Sequence, residues 1–134
     1  MLKLAYPLLV AGLLGPLATA PAFAIDPAQK ALFDSYQAAA RGDAVRGKAF
    51  FHGTHSGGKA DTPSCTSCHT TNLSAQGKTR AGKPIEPMAA SVAPKRYTDR
   101  AEVDKWFKRN CADVLGRECS AQEKSDVLSY LLSL

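Results

Sequence analysis

The chain has 134 residues, with 17 Lys and Arg against 12 Asp and Glu, and a formal net charge of +5. The length fits one domain, and 45% hydrophobic with 22% charged residues is ordinary globular composition, which excludes a fibre or a disordered chain. The surplus positive charge is modest and contains no run of Lys and Arg, so nucleic-acid binding is disfavoured and an acidic protein partner is favoured.

The first 24 residues predict an export signal. Lys3 gives a positive start, residues 4–17 form an apolar run interrupted only by Gly, Tyr and Pro, and residues 22–24 have the Ala-Phe-Ala pattern that signal peptidase recognises. An uncleaved membrane anchor is the alternative, but this run is shorter than the ~20 residues that a span needs. We expect cleavage after Ala24, leaving residues 25–134 with a net charge of 16 − 12 = +4 and no membrane-spanning segment. The destination is an oxidising compartment, most simply a bacterial periplasm.

Two helices are predicted at the start of the remaining chain. Asp26 is a favoured N-cap and Pro27 a favoured first helical residue, so a helix begins here and runs to about Gly42. A second short helix is predicted from about Asp43 to Phe51.

Long loops occupy the middle of the chain. Residues 52–64 are rich in Gly, Ser, Thr and Pro, and in residues 70–94 the prolines at 84, 87 and 94 exclude a regular element. A loop of about 25 residues is unusual in a compact domain of this size. We therefore expect something other than side chains to fill part of the core.

The last part of the chain predicts two further helices. One begins at the cap Thr98-Asp99 and carries apolar residues at helical spacing, and the other begins at Ser120, where Glu123 completes a capping box. Val127, Leu128 and Leu131 form the apolar stripe of the last helix. No segment alternates with the period of a strand, so the predicted class is all-α, with four or so short helices.

The strongest motif is Cys65-Thr66-Ser67-Cys68-His69, which is the attachment pattern of c-type haem. Two thiols at this spacing can each reach a vinyl group on one porphyrin edge, and His69 then supplies the proximal iron ligand. A redox-active pair is the alternative, but it would normally follow a strand in a βαβ unit. A zinc site would need a second, closely spaced pair, whereas Cys111 and Cys119 are eight apart.

The two remaining cysteines are predicted to form a disulfide. Their even number and the oxidising compartment both favour a Cys111–Cys119 bond. A ring this small adds roughly 2.5 kcal/mol in the chain-entropy description of disulfide stabilisation.

Asn110 is a candidate for the sixth iron ligand. At 100° per residue, Val103, Trp106 and Phe107 share one helix face, and Asn110 points into the centre of that apolar stripe. Trp106 is accordingly a candidate for packing against the haem. A buried amide needs a partner, which is either the iron or, as is common near a helix end, backbone that the Asn caps.

Other residues compete for the same role. Met88 lies 19 residues after His69 in a proline-flanked loop, where a His/Met cytochrome could place its sulfur, although Met also fills irregular gaps in cores. His52 and His55 would allow a bis-His site or could be solvated.

Two segments, 46–51 (RGKAFF) and 62–69 (TPSCTSCH), resemble class I cytochromes c. Four more narrow the resemblance to the SHP (sphaeroides haem protein) family, the oxygen-binding monohaem cytochromes c: 96–99, 103–107, 110–111 and 116–119. The resemblance implies that residues 25–134 form one cytochrome c domain around one covalently attached haem. It is weakest in residues 73–83.

The resemblance also implies the ligand set. In the SHP family the sixth ligand is an asparagine directly before a cysteine that closes a small disulfide, which matches Asn110, Cys111 and Cys119. The related cytochrome c″ has histidine there and releases it on reduction. The resemblance therefore favours Asn110 over Met88 and implies release on reduction, with oxygen, nitric oxide or another small ligand binding to ferrous haem.

The implied partners are redox proteins. The resemblance predicts a dihaem cytochrome c as the electron donor, with a membrane cytochrome b nearby. Lys95, Arg96, Lys105, Lys108 and Arg109 lie near the expected pocket and would suit an acidic partner, or are simply solvated.

Three functions remain open from the sequence. The favoured one is an electron carrier that binds diatomic ligands when reduced, and the second is a plain His69/Met88 carrier that stays six-coordinate. The third is a haem-free exported binding module with two disulfides. We expect no enzyme activity beyond slow reduction of small ligands, because no acid/base group accompanies the motif.

Overall fold

The computed structural model describes residues 25–134, so the predicted signal peptide and its cleavage after Ala24 lie outside the described residues. This part of the chain is helical, as predicted, with one very short strand pair. The elements are α1 Pro27–Ala39, α2 Ala44–His52, α3 Thr66–His69, β1 Gly77–Lys78, β2 Pro84–Ile85, α4 Arg100–Leu115 and α5 Ala121–Leu132.

The predicted helix starts are confirmed by their caps. The Asp26 carboxylate accepts hydrogen bonds from the backbone N–H groups of Ala28 and Gln29, at 2.8 and 3.4 Å, and Asp43 caps α2 in the same way. These side chains satisfy N–H groups that have no partner within the helix. The end of α1 was predicted wrongly: the helix ends at Ala39, before Gly42.

Three short elements lie in the middle of the chain: α3 at the attachment motif, and β1 and β2 within the segment 70–94 that was predicted as loop. α3 is a single helical turn, and β1 pairs antiparallel with β2, with Lys78 opposite Pro84. The prediction that the prolines exclude any regular element from residues 70–94 was therefore wrong. Pro84 is tolerated because it is the first residue of a two-residue strand, a position where its missing N–H matters little.

α2 crosses α5 at a glycine. Gly47 is buried, and a Cβ atom added there would clash with the backbone carbonyl oxygen of Asp126. The Arg46 guanidinium donates to both oxygens of the buried Asp126 carboxylate, at 2.9 and 2.7 Å, and the backbone N–H of Asp43 donates to it at 2.7 Å. The two helices are therefore held by close backbone approach together with a satisfied ion pair.

The core consists of two clusters of buried side chains. The larger one contains the predicted apolar stripe of α5, in which Leu128 is fully buried, together with residues of α1 and α2. The smaller one surrounds Cys111, Val114, Leu115 and Cys119. The side chains of both clusters line one cavity, which agrees with the expectation that side chains alone do not fill the core.

α4 and α5 are joined through a compact turn. α4 begins after the N-cap Asp99 and ends at Gly116, which has φ of 69° and lies against the backbone of Gly57. A Cβ at Gly116 would meet the Gly57 carbonyl oxygen, and the left-handed backbone also favours glycine. At the start of α5, the predicted capping box between Ser120 and Glu123 is present.

Glu123 makes the stability of this turn depend on pH. Its carboxylate accepts hydrogen bonds from Arg117, at 2.7 and 2.8 Å, and from the Ser120 N–H, and the Arg117 bonds are the main reason that its pKa is lowered to about 2. Because the folded-state pKa lies below the ordinary value of 4.5, the stabilisation is present above pH ~4.5 and is lost as pH falls towards 2.

We expect Glu123→Gln to unfold more easily than the wild type at neutral pH and to approach it at low pH. Urea unfolding between neutral pH and pH ~2 measures the difference in unfolding free energy. Glu118→Gln, at an exposed neighbouring carboxylate, is the matched control and should show a smaller difference. A Glu123→Gln difference that stays constant over this range would contradict the assignment.

Candidate haem site

A large cavity lies between α3, α4 and the two core clusters. Its volume is about 770 Å³, within the range of protein sites that enclose a cofactor-sized molecule. Its lining includes Cys65, Cys68, His69, Met88 and Asn110. The structure therefore brings together the attachment motif and both leading candidates for the sixth ligand.

α3 sets the positions of the attachment motif. The backbone N–H groups of Cys68 and His69 both donate to the Cys65 carbonyl oxygen, at 3.3 and 3.1 Å, so one turn of helix turns all three side chains towards the cavity. Ser64 fixes the start of the turn, because its hydroxyl donates to the Phe51 carbonyl oxygen at 3.2 Å.

The bonding state and pKa values of the two thiols fit haem attachment better than redox activity. Cys65 and Cys68 are not bonded to each other, and burial raises the pKa of Cys65 to about 11 and also raises the pKa of Cys68. Redox-active pairs instead depend on a thiol whose pKa is lowered. The environment of the motif therefore argues against a dithiol redox site and is compatible with thioether formation.

His69 is prepared to bind a metal. Burial lowers its pKa to about 4, with a smaller contribution from the positive charge of Arg96, so the imidazole is neutral, which is the ligating form. Its ring lies 6.0 Å from that of Phe51, between centroids. Its buried Nδ1 has no hydrogen-bond partner among the described residues, and such a group is costly unless the site is completed by another molecule.

Asn110 is in α4, and it lines the cavity, as its position in the apolar stripe predicted. The alternative that Asn110 caps the end of its helix was wrong, because α4 continues to Leu115 and is capped at Gly116. The predicted disulfide between Cys111 and Cys119 is present in the structure, directly after Asn110. It ties the last turns of α4 to the residue before the N-cap of α5.

Met88 occupies a fixed position on the same cavity. Its N–H donates to the Leu73 carbonyl oxygen at 2.9 Å, and its own carbonyl oxygen accepts from the Tyr97 hydroxyl at 2.6 Å. The Met88 side chain is half-buried and packs against the larger core cluster.

The other histidines do not line the cavity. His52 Nε2 is 3.0 Å from the Tyr130 hydroxyl, and His55 Nε2 is 2.8 Å from the Phe50 carbonyl oxygen. The structure thus gives no support to a bis-His site.

Trp106 lies at the edge of the cavity. It lines the cavity and is 47% exposed, so it provides part of the rim, and its packing against the haem stays a prediction. Its indole N–H donates to Glu102 at 3.2 Å, and the Arg109 guanidinium carbon lies 5.1 Å from its ring centroid.

The cavity wall carries charges of both signs. Lys95, Arg96 and Arg109 line it, whereas Lys105 and Lys108 do not, and Lys105 pairs with Glu102. Carboxylates also line the wall: Glu86, Asp99, Glu102 and Asp113. The positive charge expected from the sequence is therefore partly offset by carboxylates at the cavity.

These residues fit a c-type haem. Cys65 and Cys68 would form the two thioether bonds, and His69 would bind the iron. In the described residues 25–134, no group of three or more His, Cys, Asp or Glu side chains could hold a separate metal ion, and no helix is long and apolar enough to cross a membrane.

Known relatives agree with this site. Residues 37–131 match a family described as a domain of unknown function, DUF1924. The chain is 50% identical over 113 residues to the cytochrome c-type protein SHP of Cereibacter sphaeroides, covering 83% of this chain and 88% of the relative. This chain belongs to the SHP family of cytochromes c. The cofactor of this family is haem c, and one attachment motif is present here.

Solved structures support the same relationship. The structure of oxidised SHP, described as an oxygen-binding cytochrome c, has a TM-score of 0.76 at 48% identity and covers 79% of this chain and 96% of that one. Cytochrome c″ of Methylophilus methylotrophus is 40% identical over 88 residues, 65% of this chain and 61% of the relative. Its oxidised crystal structure has a TM-score of 0.66 at 33% identity and covers 79% and 94% of the two chains. The predicted class I cytochrome c fold and the predicted family are both confirmed.

Sequence reasoning placed Arg96 near the pocket only as part of a basic face for a protein partner, and it missed Tyr97 and Arg80. Arg96 and Tyr97 line the cavity, and so does Arg80 in the turn between β1 and β2. The family-like segment 96–99 was the signal that could have drawn attention to Tyr97 and to a role for Arg96 within the cavity.

Proposed function

We propose that this chain is a periplasmic monohaem cytochrome c that transfers electrons and binds oxygen or another small diatomic ligand once Asn110 leaves the iron. The observation that carries the proposal is the position of Asn110 on the same cavity as His69, directly before the Cys111–Cys119 disulfide. The solved SHP is described as oxygen-binding, which supports the same activity here.

The chemistry of the two axial residues supports a ligand that is released. When bound, the haem supplies a redox-active iron whose ferrous form takes up small neutral ligands. The imidazole of His69 is a ligand for either oxidation state, but the neutral amide oxygen of Asn110 is a hard, weak donor that suits ferric iron better. With haem bound, reduction would therefore weaken the hold of Asn110 on the iron and would leave room for a small ligand in the cavity that Asn110 shares with His69.

Location and partners are part of the proposal. The leader of residues 1–24 and the disulfide both support export to an oxidising compartment. By family resemblance the electron donor is a dihaem cytochrome c, with a membrane cytochrome b nearby. We propose a carrier and ligand-binding protein and not an enzyme.

Met88 supports a second candidate function. Its backbone is fixed at the cavity by Leu73 and Tyr97, and a thioether ligand would hold the iron in both oxidation states. In that case the protein is a plain six-coordinate electron carrier with a high reduction potential.

Ferric ligand exchange separates the two candidates. We expect azide to bind ferric Asn110→Ala at least about tenfold faster than wild type, because no bond to an asparagine must break, whereas Met88→Leu stays within about twofold of wild type. Stopped-flow absorbance measures both rates, and circular dichroism verifies that each variant is folded. Faster binding in Met88→Leu alone would assign the sixth ligand to Met88.

A further inference from the structure

Arg96 carries an unpaired, buried donor on the wall of the haem cavity. Its Nε is buried without a hydrogen-bond partner among the described residues, while its Nη2 donates to the Glu86 carbonyl oxygen at 2.8 Å. A guanidinium keeps its charge under all ordinary conditions. A buried N–H donor of a charged group is costly to leave unpaired unless a further acceptor completes it.

The segment around Arg96 is held so that it cannot turn away. Gln29 of α1 is only 4% exposed, and its side-chain amide donates to the carbonyl oxygens of Pro94 and Arg96, at 3.1 and 2.8 Å. The Arg96 N–H donates to the Ala93 carbonyl oxygen at 2.9 Å.

The next residue adds a second restraint. Tyr97 is buried with φ of 60°, a left-handed conformation that is rare for a residue with a bulky side chain, and its hydroxyl donates to Met88. Strained conformations of this kind persist only where the surroundings enforce them, and they cluster at binding sites. The backbone thus presents Arg96 to the cavity in one orientation.

The other arginines on the cavity wall are already engaged. Arg80 Nε donates to the Asp61 carboxylate at 2.6 Å, and the Arg109 guanidinium lies over the ring of Trp106. Among the arginines of the haem cavity in the described chain, Arg96 is the one that has a buried donor without a partner.

We propose that Arg96 binds a carboxylate side chain of the haem through its free Nε, and so favours the ferrous state. Haem carries two carboxylates, and guanidinium–carboxylate pairs are among the strongest hydrogen-bonded pairs in proteins. The proposal goes beyond the proposed function, since it holds whether Asn110 or Met88 is the sixth ligand.

The charge of Arg96 also bears on the redox equilibrium. Arg96 lines the same cavity as His69. A fixed positive charge near the iron stabilises the state that has gained an electron. For a charge roughly 10 Å from the iron and an effective dielectric constant of about 20, Coulomb's law gives roughly a tenfold effect on the ferrous-to-ferric ratio.

Arg96→Gln, Arg96→Lys and the matched control Arg80→Gln test the proposal. At a fixed applied potential, we expect the ferrous-to-ferric ratio to fall roughly tenfold in Arg96→Gln, to be largely restored in Arg96→Lys, and to change by less than about twofold in Arg80→Gln. Spectroelectrochemistry measures these ratios.

A second readout identifies the partner of Arg96. In redox-difference infrared spectra of protein whose haem carboxylates are labelled with carbon-13, the label-sensitive carboxylate band should move in Arg96→Gln and not in Arg80→Gln. An unmoved band in Arg96→Gln, or equal redox shifts in both variants, would overturn the proposal. Carbon monoxide binding by the reduced variants reports on the release of the sixth ligand and not on Arg96. The role of Arg96 and the release of Asn110 can therefore be refuted separately.

Discussion

We expect Asn110→Met to close the ferrous protein to carbon monoxide. The substitution replaces a hard amide oxygen with a soft thioether, which binds ferrous iron well, at a position on the same cavity as the attachment motif. The rate of carbon monoxide binding should fall at least about a hundredfold, because the sulfur must first dissociate at a cost of roughly 3 kcal/mol or more. Flash photolysis or stopped-flow absorbance of the reduced protein measures this rate.

Two controls distinguish this effect from general damage to the pocket. Asn110→Ala should bind carbon monoxide at least as fast as the wild type, since it offers no ligand in either oxidation state. Met88→Leu alters the rival position on the same cavity and should leave the rate within about twofold. An Asn110→Met protein that binds carbon monoxide as fast as the wild type would show that position 110 does not face the iron.

We expect Gly47→Ala to destabilise the fold by at least about 3 kcal/mol. An added methyl group would clash with the backbone carbonyl oxygen of Asp126, where α2 crosses α5. Forcing the helices apart would also disturb the Arg46–Asp126 ion pair, which is largely buried on the aspartate side. Urea unfolding of the haem-containing protein, followed by circular dichroism, measures the loss.

Val45→Ala is the matched control in the same helix. Val45 is 79% exposed, so its truncation should change the unfolding free energy by less than about 0.5 kcal/mol. In an unobstructed helix, replacing Gly with Ala is favourable by about 1 kcal/mol. A Gly47→Ala protein as stable as the wild type would therefore contradict the close approach of the two helices.

The features that were predicted from sequence depend on neighbouring residues. Helix starts at Asp26, Asp43, Asp99 and Ser120 are confirmed, because each cap satisfies N–H groups only two or three residues away. The attachment motif is equally local, since its function depends on the spacing of its own residues.

The features that were not predicted depend on contacts between distant segments. Gly42 was expected to end α1, but the helix ends earlier, and Gly42 is required because a Cβ there would clash with the Ser125 carbonyl oxygen of α5. The unpaired donor of Arg96 is a tertiary feature as well, since Gln29, 67 residues away, fixes that segment. Neither contact leaves a periodic pattern in the sequence.

The most direct test of the open ferrous site is the optical spectrum of the reduced wild-type protein before and after addition of carbon monoxide. Release of Asn110 predicts a high-spin reduced spectrum that shifts when carbon monoxide is added. A sharp low-spin reduced spectrum that carbon monoxide leaves unchanged, together with the red charge-transfer band of methionine ligation in the ferric protein, would contradict it and assign the iron to His69 and Met88.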